Sequence, residues 1–228
     1  GSTAGTYTLT ASGVGLGSTP TTSGNLPTGT LTFTATACKL GFGTATIDGI
    51  LSSGEWDCAQ HADFSAKLSG GSSAPATLFW MNDGTDLQVA VRVQRSSKDK
   101  VNTLQFNFDN NNSANALGTG AAETGDDILI FDPTTGFSDN FLTLKCTTST
   151  QSSCGATDVS AAGAKDGAGA FSNNGTYTMY ELKHPLNSGD LGHDFPLAGG
   201  NNVGLFLTLQ LGSGAQGNTQ WPGFRKYK

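Results

Sequence analysis

Between Lys100 and Lys145 the chain has no basic residue, yet it carries Asp109, Glu123, Asp126, Asp127, Asp132 and Asp139 and the amide run Asn110, Asn111 and Asn112. Carboxylates this close in sequence repel one another unless they are splayed into solvent or neutralised. A hard divalent cation neutralises them well, because Ca²⁺ accepts roughly six to eight carboxylate, amide, carbonyl and water oxygens with loose geometry. The ligands expected are Asp109, Asn111, Glu123, Asp126 and Asp127. The run lacks the alternating ligands, central glycine and closing glutamate of an EF-hand loop. The plainer alternative is a set of solvated turns, since Asn and Asp favour turn backbones.

Catalytic constellations have little to stand on. His61, His184 and His193 are scattered, and no serine-centred elbow, H-E-x-x-H motif or phosphate-cradling glycine loop occurs. Asp126 and Asp127 are adjacent, so on a strand they point to opposite faces and cannot flank one glycosidic bond. The expectation is that the chain is not an enzyme. Cys38 with Cys58 and Cys146 with Cys154 form two local pairs without C-x-x-C spacing. Two disulfides are the natural reading, with the local pairing ranked first among three connectivities, and they imply an oxidising, extracellular setting.

The elements that must hold these groups read as strands. Leu104, Phe106 and Phe108 alternate with polar neighbours, and Ile128 to Phe131 is a short apolar run, so the acidic segment is a strand, a long loop and a strand. A loop of about fifteen residues without its own periodicity needs a reason to stay ordered, and an ion tying Asp109 to Asp126 or Asp127 supplies one. Further strands are expected near 44–48, 77–82, 86–93, 102–109, 127–131, 140–146, 176–183 and 203–211, each bounded by Gly, Asn or Asp. In the hairpin TLFWMNDGTDLQVAVRV, Asn82, Asp83 and Gly84 supply the turn while Leu87, Val89, Val91 and Val93 alternate inward. The fold class is therefore all-β, a two-sheet antiparallel sandwich with long loops.

Residues 1–37 differ in character: YTLTAS and TLTFTATA are strand patterns joined by a nearly uncharged Gly/Ser/Thr/Pro stretch. They read as an N-terminal strand segment, or as the tail of a preceding domain, since the first strand is similar to the closing strand of a bacterial immunoglobulin-like repeat. Residues 38–228 then form the sandwich. Gly1 and Ser2 read as a cloning scar on a fragment excised from a larger secreted protein. Thirty-two glycines and 13% charged residues describe a turn-rich extracellular β protein. A formal charge of −6 without clustered Lys and Arg argues against nucleic acid as a partner. No stretch is long and apolar enough for a membrane span.

The run ATIDGILSSGEWDCA, then TLFWMNDGTDLQVAVRV, then FNFDNNN with ETGDDILIFD, and finally HPLNSGDLGHDFPLAGGNNVGLFLTLQL resembles, over residues 44–225, the family 9 carbohydrate-binding modules and their DOMON-like relatives. The resemblance implies a jelly-roll-like sandwich, often with bound calcium, appended to secreted enzymes or surface proteins. Sugar-binding members hold a glycan terminus between two tryptophans. Here the resemblance assigns Trp56 to packing, and strand period places Trp80 on the face of Leu78 and Asn82, directed inward. Trp221, in a Gly- and Pro-containing loop, is the available platform. Trp221, Phe224, Arg225 and Trp80 are thus the candidate ligand-binding residues, with Phe137, Tyr177 and Tyr227 as further aromatics. Some DOMON-like relatives hold haem between methionine and histidine, and Met81 with His184 is the pair that would do so here.

The sequence thus points to a non-catalytic accessory domain of a secreted or cell-surface protein. It is expected to be calcium-stabilised, to bind carbohydrate and to sit beside neighbouring domains of a larger chain. The alternative is a structural or adhesive sandwich with no sugar ligand.

Overall fold

The computed structural model describes residues 5–11, 29–35, 39–68, 70–95, 102–110, 125–143, 155–198, 203–212 and 218–221. The chain divides into two compact units, Gly1–Lys39 and Leu40–Lys228. In the first, β1 (Gly5–Ala11) and β2 (Gly29–Ala35) pair antiparallel, with Gly5 opposite Ala35 and Ala11 opposite Gly29.

The second unit is a sandwich of two antiparallel sheets, with no α-helix among the described residues. One sheet contains β3 (Gln60–Lys67), β4 (Ser73–Asn82), β5 (Asp86–Gln94), β10 (Ala168–Asn173) and β11 (Tyr177–Pro185), in the order β10-β11-β5-β4-β3. The other contains β6 (Asn102–Asp109), β7 (Asp127–Asp132), β8 (Gly136–Leu142), β9 (Gly155–Thr157), β12 (Gly204–Leu211) and β13 (Asn218–Trp221), in the order β13-β12-β6-β7-β8-β9. Strand alternation fills the space between them: Leu78, Val89, Val91 and Tyr180 from the first sheet share one core with Phe106, Leu129, Leu207 and Leu209 from the second. At one edge the sheets are also joined by a hydrogen bond of 2.6 Å from the Lys67 backbone N–H to Thr219 Oγ1.

The expected hairpin forms at β4 and β5. Asp83 Oδ1 accepts hydrogen bonds from the Thr85 and Asp86 backbone N–H groups at 2.9 and 2.8 Å, and Gly84 takes the left-handed φ of 93°. Those backbone bonds, the Asp86 one foremost, hold the Asp83 carboxyl below the usual carboxylate range. Other boundaries differ from the sequence reading. β8 begins at Gly136 rather than near 140, and β3, β9, β10 and β13 were not anticipated, because strands such as AGAFSN and QHADFSAK carry small or mixed residues with a weak alternation. Residues 44–48 are not a strand. Side chains rather than a ladder hold this segment: the Ala45 N–H donates to Gln88 Oε1 at 2.6 Å and the Thr46 N–H to Glu55 Oε1 at 3.2 Å.

That segment belongs to a wrap, residues 40–59, that covers part of the outer face of the five-stranded sheet. Phe79, Met81 and Ala90 project from that face and pack with Trp56, Ala59 and Leu51. At the centre of the wrap lies Glu181, fully buried. Its carboxylate accepts from Trp56 Nε1 at 2.9 Å and from the backbone N–H groups of Gly49 and Asp48 at 2.7 and 3.0 Å. Asp48, Gly49 and Trp56, all within the run ATIDGILSSGEWDCA, are therefore clamped by one carboxylate some 130 residues away in sequence. Gly49 is required there, since its φ is 85° and a Cβ would lie 2.7 Å from the Phe171 carbonyl carbon.

Replacing Glu181 by alanine strands two buried donors, Trp56 Nε1 and the Gly49 N–H, each costing about 1–3 kcal/mol when left unpaired, and the more exposed Asp48 N–H besides. Urea denaturation of Glu181→Ala should show a loss of at least about 2 kcal/mol. Lys183→Ala, on the same strand but with its ammonium half-exposed beside Asp86, should cost less than about 1 kcal/mol.

Candidate metal centre

At one end of the core the alternation that elsewhere supplies Leu and Phe supplies acids instead. On β7 the inward series runs Asp127, Leu129, Phe131, and on β8 Asp139 stands opposite Leu129. On β11 the inward series Tyr180, Leu182 continues to His184. Two loops complete the group. Asp158 opens the 3-10 turn Asp158–Ala161, and Asp194 ends a tight turn in which its own N–H donates to Asp190 O at 3.1 Å.

Asp127, Asp158 and His184 are 0% exposed, Asp139 2% and Asp194 4%. His184 Nε2 lies 3.6 Å from Asp139 Oδ2 and 3.5 Å from Asp194 Oδ2, while its Nδ1 is 2.8 Å from Pro185 O. The ring is thus set as a donor to that carbonyl, with Nε2 turned to the acids. Both oxygens of Asp127, Asp158 and Asp194, one of Asp139, and His184 Nε2 have no hydrogen-bond partner. Buried carboxylate oxygens are costly to leave in that condition.

Burial pushes the Asp127 carboxyl well above its usual range, the His184 charge working against it. Burial, together with the neighbouring Asp194, pushes Asp158 up to about 8. Burial opposes charge on His184, but the Asp139 and Asp194 carboxylates outweigh it and raise the imidazole to about 10. For Asp194 burial is likewise outweighed, chiefly by His184, and its carboxyl falls below the ordinary value.

Asp194 is the hub. It belongs to each of three groups whose candidate ligand atoms lie within 4.8 Å of one another: with Asp127 and His184, with Asp139 and Asp158, and with Asp166 and Asp190. The second is an all-oxygen, buried set suited to a hard cation, and the orphaned oxygens around it match the ligand demand of Ca²⁺. The outer acids are fixed by the loops: Asp190 contacts His193 Nδ1 at 2.8 Å and accepts from the Ala164 N–H at 2.8 Å, and the Asp166 N–H donates to Asp139 Oδ2 at 2.8 Å. A Cβ at Gly163 would press on the Asp190 carboxylate and the His193 ring, so a larger residue there would displace the Asp190–His193 pair. The enclosure suits an ion that holds structure, since a buried cluster offers a substrate no access.

Of the residues expected to ligate, Asp127 enters this centre, whereas Asp109 and Asp126 belong to none of the three groups. Adjacent strand residues point to opposite faces, and Asp126 accepts instead from the Asn110 N–H at 3.3 Å, with Asn110 Nδ2 donating to Gly125 O at 2.6 Å. Asn111 and Glu123 lie outside the described residues. Asp139, Asp158, His184 and Asp194 were not assigned to an ion from the sequence; the acids following His184 in HPLNSGDLGHD were the available signal.

Among the candidate ligand-binding residues, Trp80 is half-buried against the core. The main chain of Trp221 ends β13 opposite Leu207, while its side chain, Phe224, Arg225 and Tyr227 lie outside the described residues. Phe137 is a core residue, and Tyr177 faces outward with its ring 5.2 Å from the Arg92 guanidinium. Trp56 packs as expected, 7% exposed. Met81 and His184 cannot share a haem: Asn82, Leu87 and His184 form one cross-strand row, so Met81, the neighbour of Asn82, projects from the opposite face. Cys58 is not a free thiol, and Cys38, Cys146 and Cys154 lie outside the described residues.

No family model matches the chain, and no curated protein does. Among solved structures, the chain is similar to a carbohydrate binding module family 9 (CBM9) from Caldicellulosiruptor kristjanssonii in complex with cellotriose, at 12% identity and a TM-score of 0.48 over 79% of this chain and 80% of that one. It is also similar to a family 9 module from the same organism in complex with glucose, at 12% identity and a TM-score of 0.47 over 79% and 81% of the two chains.

A cation bound only by the folded state stabilises it by about 2.7 kcal/mol at a hundredfold excess over the dissociation constant. Chelation should therefore lower the melting temperature and Ca²⁺ restore it, with Mg²⁺ a poor substitute because it demands tight octahedral geometry. Asp194→Asn should abolish the calcium response, whereas Asp109→Asn should retain it. A melt indifferent to chelator and calcium, with no metal in elemental analysis, would leave the acids balanced by protons and His184 alone.

Proposed function

We propose that this chain is a non-catalytic, calcium-stabilised module that binds carbohydrate as an accessory domain of a secreted or cell-surface protein. Asp139, Asp158 and Asp194, with Asp127 beside them, would hold the Ca²⁺. Its chemistry is neutralisation of buried charge. Cys38–Cys58 and Cys146–Cys154 would be the disulfides of that extracellular setting, and the unit Gly1–Lys39 would belong to the connection with a neighbouring domain.

The observation that carries the sugar reading is an open cleft of about 600 Å³ beside the β4–β5 turn, lined by Asn82, Thr85, Leu186, Asn187 and Leu197 among others. Asn187 uses its Oδ1 to accept the Gly189 N–H at 3.1 Å, and neither its amide nitrogen nor the Thr85 hydroxyl is bonded among the described residues. The Phe42 ring, 44% exposed, stands at the edge of the cleft, where a Cβ on Gly84 would lie 3.9 Å from it. Unpaired amide and hydroxyl groups around an apolar floor, with an exposed flat ring beside them, match the alternating hydroxyl and C–H surfaces of a pyranose.

Calorimetry against soluble β-glucan, xylan and mannan oligosaccharides should find at least one ligand. Phe42→Ala and Asn187→Ala should each weaken it about tenfold, equivalent to about 1.4 kcal/mol, with little change in melting temperature. Binding that survives both changes and is lost in Trp221→Ala would move the site to the tryptophan singled out in the sequence. No binding across the panel would favour a structural or adhesive sandwich.

A further inference from the structure

Adjoining the polar cleft is a second cavity of different chemistry. It occupies about 430 Å³ between the sheets, walled by Ala62, Leu78 and Trp80 on the five-stranded side and by Phe108 and Leu205 on the six-stranded side, with Gln60 the one polar side chain among its described lining. Leu78 and Phe108 are 1% exposed, whereas Trp80 and Leu205 are half-buried, so the chamber reaches from the closed core toward solvent. Leu197 lines both cavities. Trp80 and Asn82 lie two residues apart on one face of β4, and Leu87, opposite Asn82 on β5, also lines the chamber.

A chamber of this size with almost no polar wall is a poor home for water, which needs two to four polar partners, and a poor one for a sugar, whose hydroxyls would lose theirs. Displacing badly bonded water by an apolar group is favourable. The lining favours one kind of apolar group: the indole of Trp80 and the ring of Phe108 both line the chamber and come from opposite sheets. An aromatic ring entering it would gain offset or edge-to-face contacts with such neighbours beyond the area it buries.

We propose that the chamber binds an aromatic ring, and that the ligand of this module is a glycan bearing an aryl substituent, the ring in the chamber and the sugar in the polar cleft. This rests on the carbohydrate reading above, but the chamber is tested apart from it. Phenyl β-glucoside, methyl β-glucoside and phenol serve as the probes, compared by calorimetry on the whole chain, and the phenyl glycosides of xylose and mannose are compared with their methyl counterparts in the same way.

For whichever sugar binds, the phenyl glycoside should be held about tenfold or more tighter than the methyl glycoside, the gain expected from burying one ring. Ala62→Leu, which narrows the chamber from a half-exposed position on the edge strand, and Trp80→Ala, which removes one wall, should each bring that ratio toward one. Melting curves would verify that both variants fold, and the wild-type ratio decides the matter without them. Equal affinities for phenyl and methyl glycosides would overturn the chamber while leaving the sugar cleft standing. Binding of phenol with no binding of any glycoside would support the chamber and defeat the carbohydrate reading. No binding of phenol or of any aryl glycoside would overturn the proposal.

Discussion

Mutual repulsion among buried carboxylates governs one end of this sandwich. Asp127, Asp139, Asp158 and Asp194 converge from two strands of one sheet, a 3-10 turn and a loop, and among the described residues the His184 imidazole alone is paired with them as a cation. One cation cannot neutralise four anions, and the shifts in proton affinity show how the deficit is divided: burial keeps protons on Asp127 and, up to about pH 8, on Asp158, while Asp139 and Asp194 face His184. An entering divalent ion would have to displace those protons, so its affinity would fall in acid. The loops around Gly163 and Asp190 satisfy little of this charge: the Ala164 N–H goes to the outer Asp190 and the Asp166 N–H to one oxygen of Asp139, leaving the other oxygen of Asp139 and both oxygens of Asp127, Asp158 and Asp194 unpaired.

Glu181 solves the same problem by the opposite route. It too is fully buried, and burial, the largest influence, raises its carboxyl, but three N–H donors from the wrap pull against that and satisfy its oxygens. No ion is needed there. The contrast between one carboxylate met by three donors and a group of carboxylates met by one imidazole is what separates a structural clamp from a candidate cation centre.

Much of this was legible in the residues. The hairpin at Asn82, Asp83 and Gly84, the inward series Val89, Val91, Val93, and the all-β two-sheet class follow from period-two alternation and turn chemistry, which are local. The wrap was not legible, because Ala45 and Thr46 read as a strand; what they lack is a strand partner, and their N–H groups donate to the side chains of Gln88 and Glu55. The candidate cation centre was half legible. Clustered acids pointed to Asp127, but the acids that meet it among the described residues arrive from β8, β11 and two loops far along the chain, whereas its sequence neighbour Asp126 diverges on the strand and joins none of the three groups. Phe42 gave no signal at all, being one phenylalanine in a short irregular segment.

Two short connections link the candidate centre and the cleft. Asn82, Leu87 and His184 occupy one cross-strand row, so the strand end that carries the imidazole is bonded through β5 to the strand end that carries a cleft amide. From Asp194 the chain runs through Phe195, packed 4.8 Å from the His184 ring, to Leu197, the residue common to both cavities. There the Leu197 N–H donates to Leu186 O at 2.6 Å and the Leu186 N–H to Thr85 O at 2.8 Å. Whatever fixes Asp194 therefore fixes the shared wall three residues later, and Thr85 with it. An ion bound at the candidate centre would hold the wall of the proposed cleft in place without touching a ligand, so the charge at the core and the chemistry at the rim would be one design constraint.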